Sequence, residues 1–285
     1  MLTSSIFNLK KTQKSFLFFN SSHSGRDYSD FIKYFSNLSI NEMRKSEDTY
    51  IDLLFDNKLL NINYLTANFP RIFVDLNRSP LELDASMWSG KFNASIFSKT
   101  QKVKSGIGVI PKICFSGKKV YNNLLLFKEA RRRLLNYYFP YHRKFRMLID
   151  YIKKHHNKVI ILDCHSMSSE IVSESTDIVL SNNRNKSANP IITNVLQKLF
   201  ESYGYKVSIN NPFEGGFITK YYGRPVNRVN VVQIEVNKKL YLFEENFKVD
   251  KKNFNKLKNC FSDIINYINL STTIISNVIR LVLVD

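Results

Sequence analysis

Long apolar runs are missing from this chain of 285 residues. A membrane helix needs roughly 18 uninterrupted apolar residues. The nearest approach, close to the C-terminus, is broken by Asn277 and Arg280, so no membrane partner is expected. Cysteine is scarce: Cys114, Cys164 and Cys260 lie far apart, and none forms a CxxC pair. That excludes a zinc knuckle. An odd, scattered set is no disulfide framework either, so a reducing compartment, the cytoplasm, is expected. Glycine is scarce too, at 9 residues, whereas 44% of the chain is hydrophobic. Such a chain is not disordered. It can bury one large core or two small ones, and a single domain over residues 1–285 is expected.

Acids are outnumbered, 24 against 42 lysines and arginines, for a net charge of +18. A surplus of this size raises the question of nucleic-acid binding. A binding stripe, however, needs cations on one face with aromatic groups between them. Here the lysines are spread along the chain with no dense block. A solvated basic surface is the simpler reading, and no nucleic-acid partner is expected. The first fifteen residues lack acids and carry Lys10, Lys11 and Lys14. They pass for a weak organelle transit peptide but hold no apolar segment of secretory type.

What is present is a series of apolar runs with polar ends. Val159-Ile160-Ile161-Leu162 reads as a buried strand, and it ends in Asp163-Cys164-His165-Ser166. Ligands of open α/β sheets bind beyond the carboxyl ends of the strands. A histidine there faces a crevice and is a ready metal ligand once a carboxylate fixes its tautomer. The pattern recurs at Phe16-Leu17-Phe18-Phe19-Asn20, which leads into His23-Ser24-Gly25-Arg26. Arg71 to Pro80 reads as another strand with a polar end, Asp75-Leu76-Asn77-Arg78. Arg78 offers a planar fork of donors suited to a carboxylate.

Between these runs, Ser46 is expected to cap a helix carrying Glu47, Asp48 and Asp52, with Asp48 and Asp52 on one face. Residues 82–119 read as a long functional loop. Residues 121–156 read as helix, broken at Pro140. Short strands are expected over 177–180 and 205–209, with a helix over 191–203 closed by Gly204. Asn211 to Phe217 is a turn-rich loop whose glycines permit close backbone approach. Val229 to Val236 is the last strand, with Glu235 at its end, and a closing helix spans 251–269. Alternating strands and helices imply an α/β fold with a sheet covered on both faces.

With these segments in order, the chain resembles the N-formylglutamate amidohydrolase family. The matching pieces are His23-Ser24-Gly25-Arg26, Ser46-Glu47-Asp48 with Asp52, Asp75-Leu76-Asn77-Arg78, Pro140-Tyr141-His142, Asp163-Cys164-His165-Ser166-Met167, Asn211-Pro212-Phe213 with Gly215-Gly216, and Gln233-Ile234-Glu235. The family is similar to the zinc carboxypeptidases, and the resemblance implies a three-layer α/β/α sandwich around a mostly parallel mixed sheet. It also implies one Zn2+ per chain, held by His23, His165 and an acid. Carboxypeptidases place that acid three residues after the first histidine, where this chain has Arg26. Asp48 is taken instead, with Glu47 and Asp52 as alternatives. By the same resemblance Asn77, Arg78, His142 and Gly216 bind substrate, and Glu235 is the base. The implied reaction is hydrolysis of an N-acyl amino acid, most simply N-formyl-L-glutamate to formate and L-glutamate. A carboxylate clamp would also serve a peptidase or cell-wall amidase.

Overall fold

The structure, a computed structural model, describes residues 7–29, 31–34, 38–54, 62–172 and 175–282, with side chains described as far as 270. Its centre is a sheet of seven strands. In chain order they are β1 (Phe7–Lys10), β2 (Leu17–Ser21), β3 (Asn63–Ala67), β4 (Val159–Met167), β5 (Ile178–Ser181), β6 (Val207–Ile209) and β7 (Val229–Asn237). They lie side by side in the order β1-β3-β2-β4-β7-β5-β6. Only the β1–β3 and β5–β7 pairs run antiparallel. Every residue of β2 is buried, and so are all of β4 but Ile160. Side chains alternate between faces along a strand, so burial at every position means that both faces are covered. This is the three-layer α/β arrangement expected from the continuous apolar runs.

The long helical stretch starts later than expected and does not break. It comprises Phe127–Arg133, a wider π turn over Leu134–Tyr138, and a helix over Phe139–His156. Pro140 has no N–H to donate, and the wide turn just before it absorbs the missing bond. The helix then stops at Asn157, whose left-handed φ of 53° is a common cap geometry. Its buried face, with Phe145, Leu148 and Ile152, lies on the sheet. Further helices run over Ile40–Arg44, Gln101–Lys104, Pro190–Ser202, Phe217–Tyr222 and Lys251–Val282. The short helix over Phe217–Tyr222 was not anticipated, and the closing helix is longer than expected.

Two further expectations are corrected. Arg71 to Arg78 is a buried run of turns, not a strand; Pro70 precedes it, and Asp75 N–H donates to Val109 O at 2.8 Å. Its apolar residues reported burial, which periodicity alone cannot separate from strand. Ser46 caps no helix. The cap is Ser39, which with Glu42 forms a capping box on Ile40–Arg44, while Ser46 Oγ accepts the Phe115 N–H at 3.0 Å. Phe7 to Lys10, within the stretch expected to pass for a weak transit peptide, pairs with β3 as an edge strand.

Phe145 shows how closely the helix is keyed to the sheet. Its ring lies 4.7 Å from Phe18 and 4.3 Å from Tyr222, and none of it is exposed. Phe145→Ala should cost about 3–5 kcal/mol of stability. The check is a fall in the urea midpoint at unchanged slope.

Candidate metal centre

Strand lengths create the site. The last register pair given for β2 with β4 is Asn20 with Asp163. β4 continues to Met167, paired only with β7 through His165 opposite Glu235 and Met167 opposite Asn237. His165 therefore lies inside its strand, not after it, but beside the open edge that β2 leaves. His23 sits in that gap. Gly25 lets the chain pass there: a Cβ on it would stand 2.0 Å from Phe69 O. Asp48 is tied to the same place by its N–H, which donates to His23 O at 3.0 Å.

The three side chains converge. Candidate ligand atoms of His23, Asp48 and His165 all lie within 4.8 Å of one another, and all three residues are buried. His165 Nδ1 is 2.8 Å from Asp48 Oδ2, and His23 Nδ1 is 3.3 Å from the same oxygen. His23 Nδ1 is buried yet makes no hydrogen bond. A buried ring nitrogen without a partner is costly unless its lone pair serves a ligand that binds there. The far side of each ring faces a carboxylate. His23 Nε2 lies 2.8 Å from Asp75 Oδ1, and His165 Nε2 lies 3.2 Å from Asp163 Oδ1. Such pairs fix the tautomer and aim Nδ1 at the common centre. Two imidazoles backed this way, with one carboxylate, could hold a metal ion.

Electrostatics agree with this geometry. Burial opposes charge on Asp48, but the His165 hydrogen bond and the two imidazoles beside it win and hold its carboxyl below the usual range. Burial likewise opposes charge on His165, yet Asp163 and Asp48 hold it protonated well above the usual range. A metal that takes His165 must therefore displace a proton. Glu235 behaves differently, because desolvation lifts it to about 7. Its Oε1 accepts Gln233 Nε2 at 2.7 Å.

The other acids near the centre are engaged elsewhere. Glu47 accepts Tyr28 Oη at 2.9 Å and Thr49 Oγ1 at 3.1 Å. Asp52 holds Arg26 through two bonds of 2.7 and 3.0 Å, so the arginine that replaces the expected acid pairs with one of its alternatives.

The expected substrate residues cluster beside the centre, mostly as supports. Asn77 Nδ2 lies 3.2 Å from His165 Nε2, and Asn77 Oδ1 accepts Ile218 N–H at 2.8 Å. Gly216 makes room for it, since a Cβ there would stand 2.4 Å from Asn77 Nδ2. Arg78 Nε and Nη1 donate to the backbone oxygens of Ile107 and Asn77. Among the described residues its Nη2 has no hydrogen bond. His142 is enclosed: Nε2 lies 3.0 Å from Leu76 O, Nδ1 lies 2.9 Å from Tyr222 Oη, and burial lowers its pKa to about 3. With both nitrogens in use, it holds the 71–78 loop in place instead of meeting substrate.

Sequence reasoning missed Arg71 and Asp75. Arg71 Nη2 binds Asp75 Oδ2 at 2.6 Å, its guanidinium lies 5.0 Å over the Phe115 ring, and it lines a small open pocket with Ser46, Ile107 and Phe115. Asp75 stood in a quoted motif, but its role as partner of His23 depends on a contact 52 residues away in sequence.

Comparison with known proteins places the chain in a family. The sequence model of one family, described as N-formylglutamate amidohydrolase, matches residues 15–242. The chain belongs to the N-formylglutamate amidohydrolase family. It is an amidohydrolase, as the sequence resemblance implied, and a small-molecule substrate fits the family. The N-formylglutamate deformylase of Pseudomonas putida is 27% identical over 232 residues, 78% of this chain and 80% of that protein. The deformylase of Pseudomonas aeruginosa is 27% identical over 216 residues, 72% of this chain and 75% of that one. The crystal structure of N-formylglutamate amidohydrolase from Ralstonia eutropha superposes with a TM-score of 0.85 at 25% identity, covering 93% of this chain and 97% of that one. A gene product of Agrobacterium tumefaciens shares the fold, with a TM-score of 0.63 at 13% identity. No helix among the described residues is long and apolar enough to cross a membrane.

Asp48 and Asp52 give a clean contrast. Asp48→Ala should lose bound metal, and Asp52→Ala should keep it because Asp52 serves Arg26. Metal analysis after dialysis against limiting Zn2+ checks this; equal content in the two variants would place the acid ligand elsewhere.

Proposed function

We propose that this protein hydrolyses N-formyl-L-glutamate to formate and L-glutamate at a zinc centre held by His23, Asp48 and His165. The observation that carries the metal is the unpartnered His23 Nδ1, aimed at Asp48 inside a buried ring of carboxylate-backed histidines. When bound, Zn2+ would keep one open position, polarise the scissile carbonyl and lower the pKa of water toward ~7. One zinc per chain is proposed. A reducing cytoplasm suits the three free, buried cysteines.

The chain's own groups do the rest. Glu235 lies across from His165 on the neighbouring strand. Gln233 holds its Oε1, and Gly216 N–H holds Gln233 Oε1 at 2.7 Å. That leaves Glu235 Oε2 to take a proton from the attacking water and return it to the leaving nitrogen. Its desolvation suits the task, since a base works best with a pKa near the working pH. Arg78 has its Nη2 edge left for the α-carboxylate of the substrate, which turns binding into orientation.

Two measurements test the assignment. Formate release across a panel of N-acyl amino acids should favour N-formyl-L-glutamate and stop with a chelator. Glu235→Gln keeps size and hydrogen bonding but cannot accept the proton. Its turnover number should fall by about 10²–10⁴-fold with zinc content unchanged. The wild-type rate should rise with pH along an acid limb at or below about 7, because Glu235 acts only when ionised and a bound cation pulls its pKa down from the value set by burial. That limb should vanish in Glu235→Gln; near-normal turnover in the variant would remove Glu235 from the mechanism.

A further inference from the structure

N-Formyl-L-glutamate carries two carboxylates, and Arg78 accounts for one. A second cation stands at the same edge of the sheet. Lys238 follows the last residue of β7, whose register partner is Met167, so it lies at the carboxyl end of the two central strands. It begins a 3₁₀ turn capped by Asn237. Only 5% of it is exposed. Among the described residues its ammonium has no hydrogen bond and no carboxylate within 4.0 Å.

The charged groups around Lys238 are Asp48, then Glu244, Arg71 and Glu47. Each has a closer partner. Asp48 serves the histidines, and Glu244 Oε1 accepts Ser169 N–H at 2.9 Å. Glu47 is held by Tyr28 and Thr49, and Arg71 is held by Asp75. Burying an ammonium without a direct partner is costly, and burial lowers the pKa of Lys238 accordingly. An anion brought in beside the centre would pair it, and Arg71 nearby adds to the positive field that meets such an anion.

We propose that Lys238 is a specificity-determining residue that receives the side-chain carboxylate of an N-acyl glutamate, selecting dicarboxylic over neutral N-acyl amino acids. The inference rests on the amidohydrolase reading of the site. The bland alternative is an ammonium that merely offsets Asp48, Glu47 and Glu244.

The two part company on a matched pair of substrates, N-formyl-L-glutamate and N-formyl-L-glutamine, which differ by a charge at nearly constant shape. Wild type should prefer the glutamate by about 10–100-fold in kcat/KM, the usual reach of one charge-assisted contact. In Lys238→Met that preference should collapse toward one, with the loss in KM for the glutamate. Lys238→Arg should keep most of it, and zinc per chain should match wild type in both. Lys238→Gln gives the same readout if the methionine variant fails to fold. Equal slowing of both substrates, or an intact preference in Lys238→Met, overturns the proposal. A wild type that releases formate from neither substrate overturns the proposed N-formylglutamate reaction itself, and this inference with it.

Discussion

β4 and β7 outrun β2, and the open edge left beside them is the constraint on which the site depends. On that edge His165 points past the end of its former neighbour, and Glu235 stands one strand further on in the same row. The chain leaving β2 has only a few residues in which to turn, and Gly25 permits that turn against Phe69 O. His23 and Asp48 then meet across a single backbone hydrogen bond. A different strand length or a side chain at Gly25 would pull these groups apart without touching any of them.

The centre is also a problem in charge. Asp48, Asp75 and Asp163 are all buried within a few ångströms of two imidazoles. Low dielectric makes each unpaired charge expensive and each pair strong. The protein answers with a second layer. Arg71 holds Asp75, Asn20 Nδ2 donates to Asp163 at 2.6 Å, and Tyr141 Oη donates to Asn20. Each histidine is thereby clamped from behind, with its Nδ1 edge turned to the shared centre. Rigid backing of this kind is what places a ligand set accurately enough for catalysis.

Glu235 is the exception, and a useful one. It has a single glutamine partner where the aspartates have several, so desolvation governs it. Buried carboxylates that feel one another thus sit in opposite states: one held ionised among cations and donors, the other kept easy to protonate. Environment, not residue type, makes that division.

The strands that carry the histidines were legible in the sequence because buried parallel strands are continuous apolar runs, and both runs end in polar residues. The helices over Phe139–His156 and Pro190–Ser202 were legible from their periodicity. Arg71 to Arg78 was misread because a buried loop and a buried strand share the same apolar composition. Ser46 was misread because a serine before acids looks like a cap wherever it occurs. The sequence by itself determined which side chains could ligate, clamp or take a proton. Only the tertiary structure decided that Asp48, and neither Glu47 nor Asp52, reaches the histidines. It alone decided that His142 is walled in and that Lys238 has no hydrogen bond or ion pair among the described residues. The reason is physical: these outcomes are set by contacts between residues as far as 117 positions apart, and local periodicity carries no record of such distances.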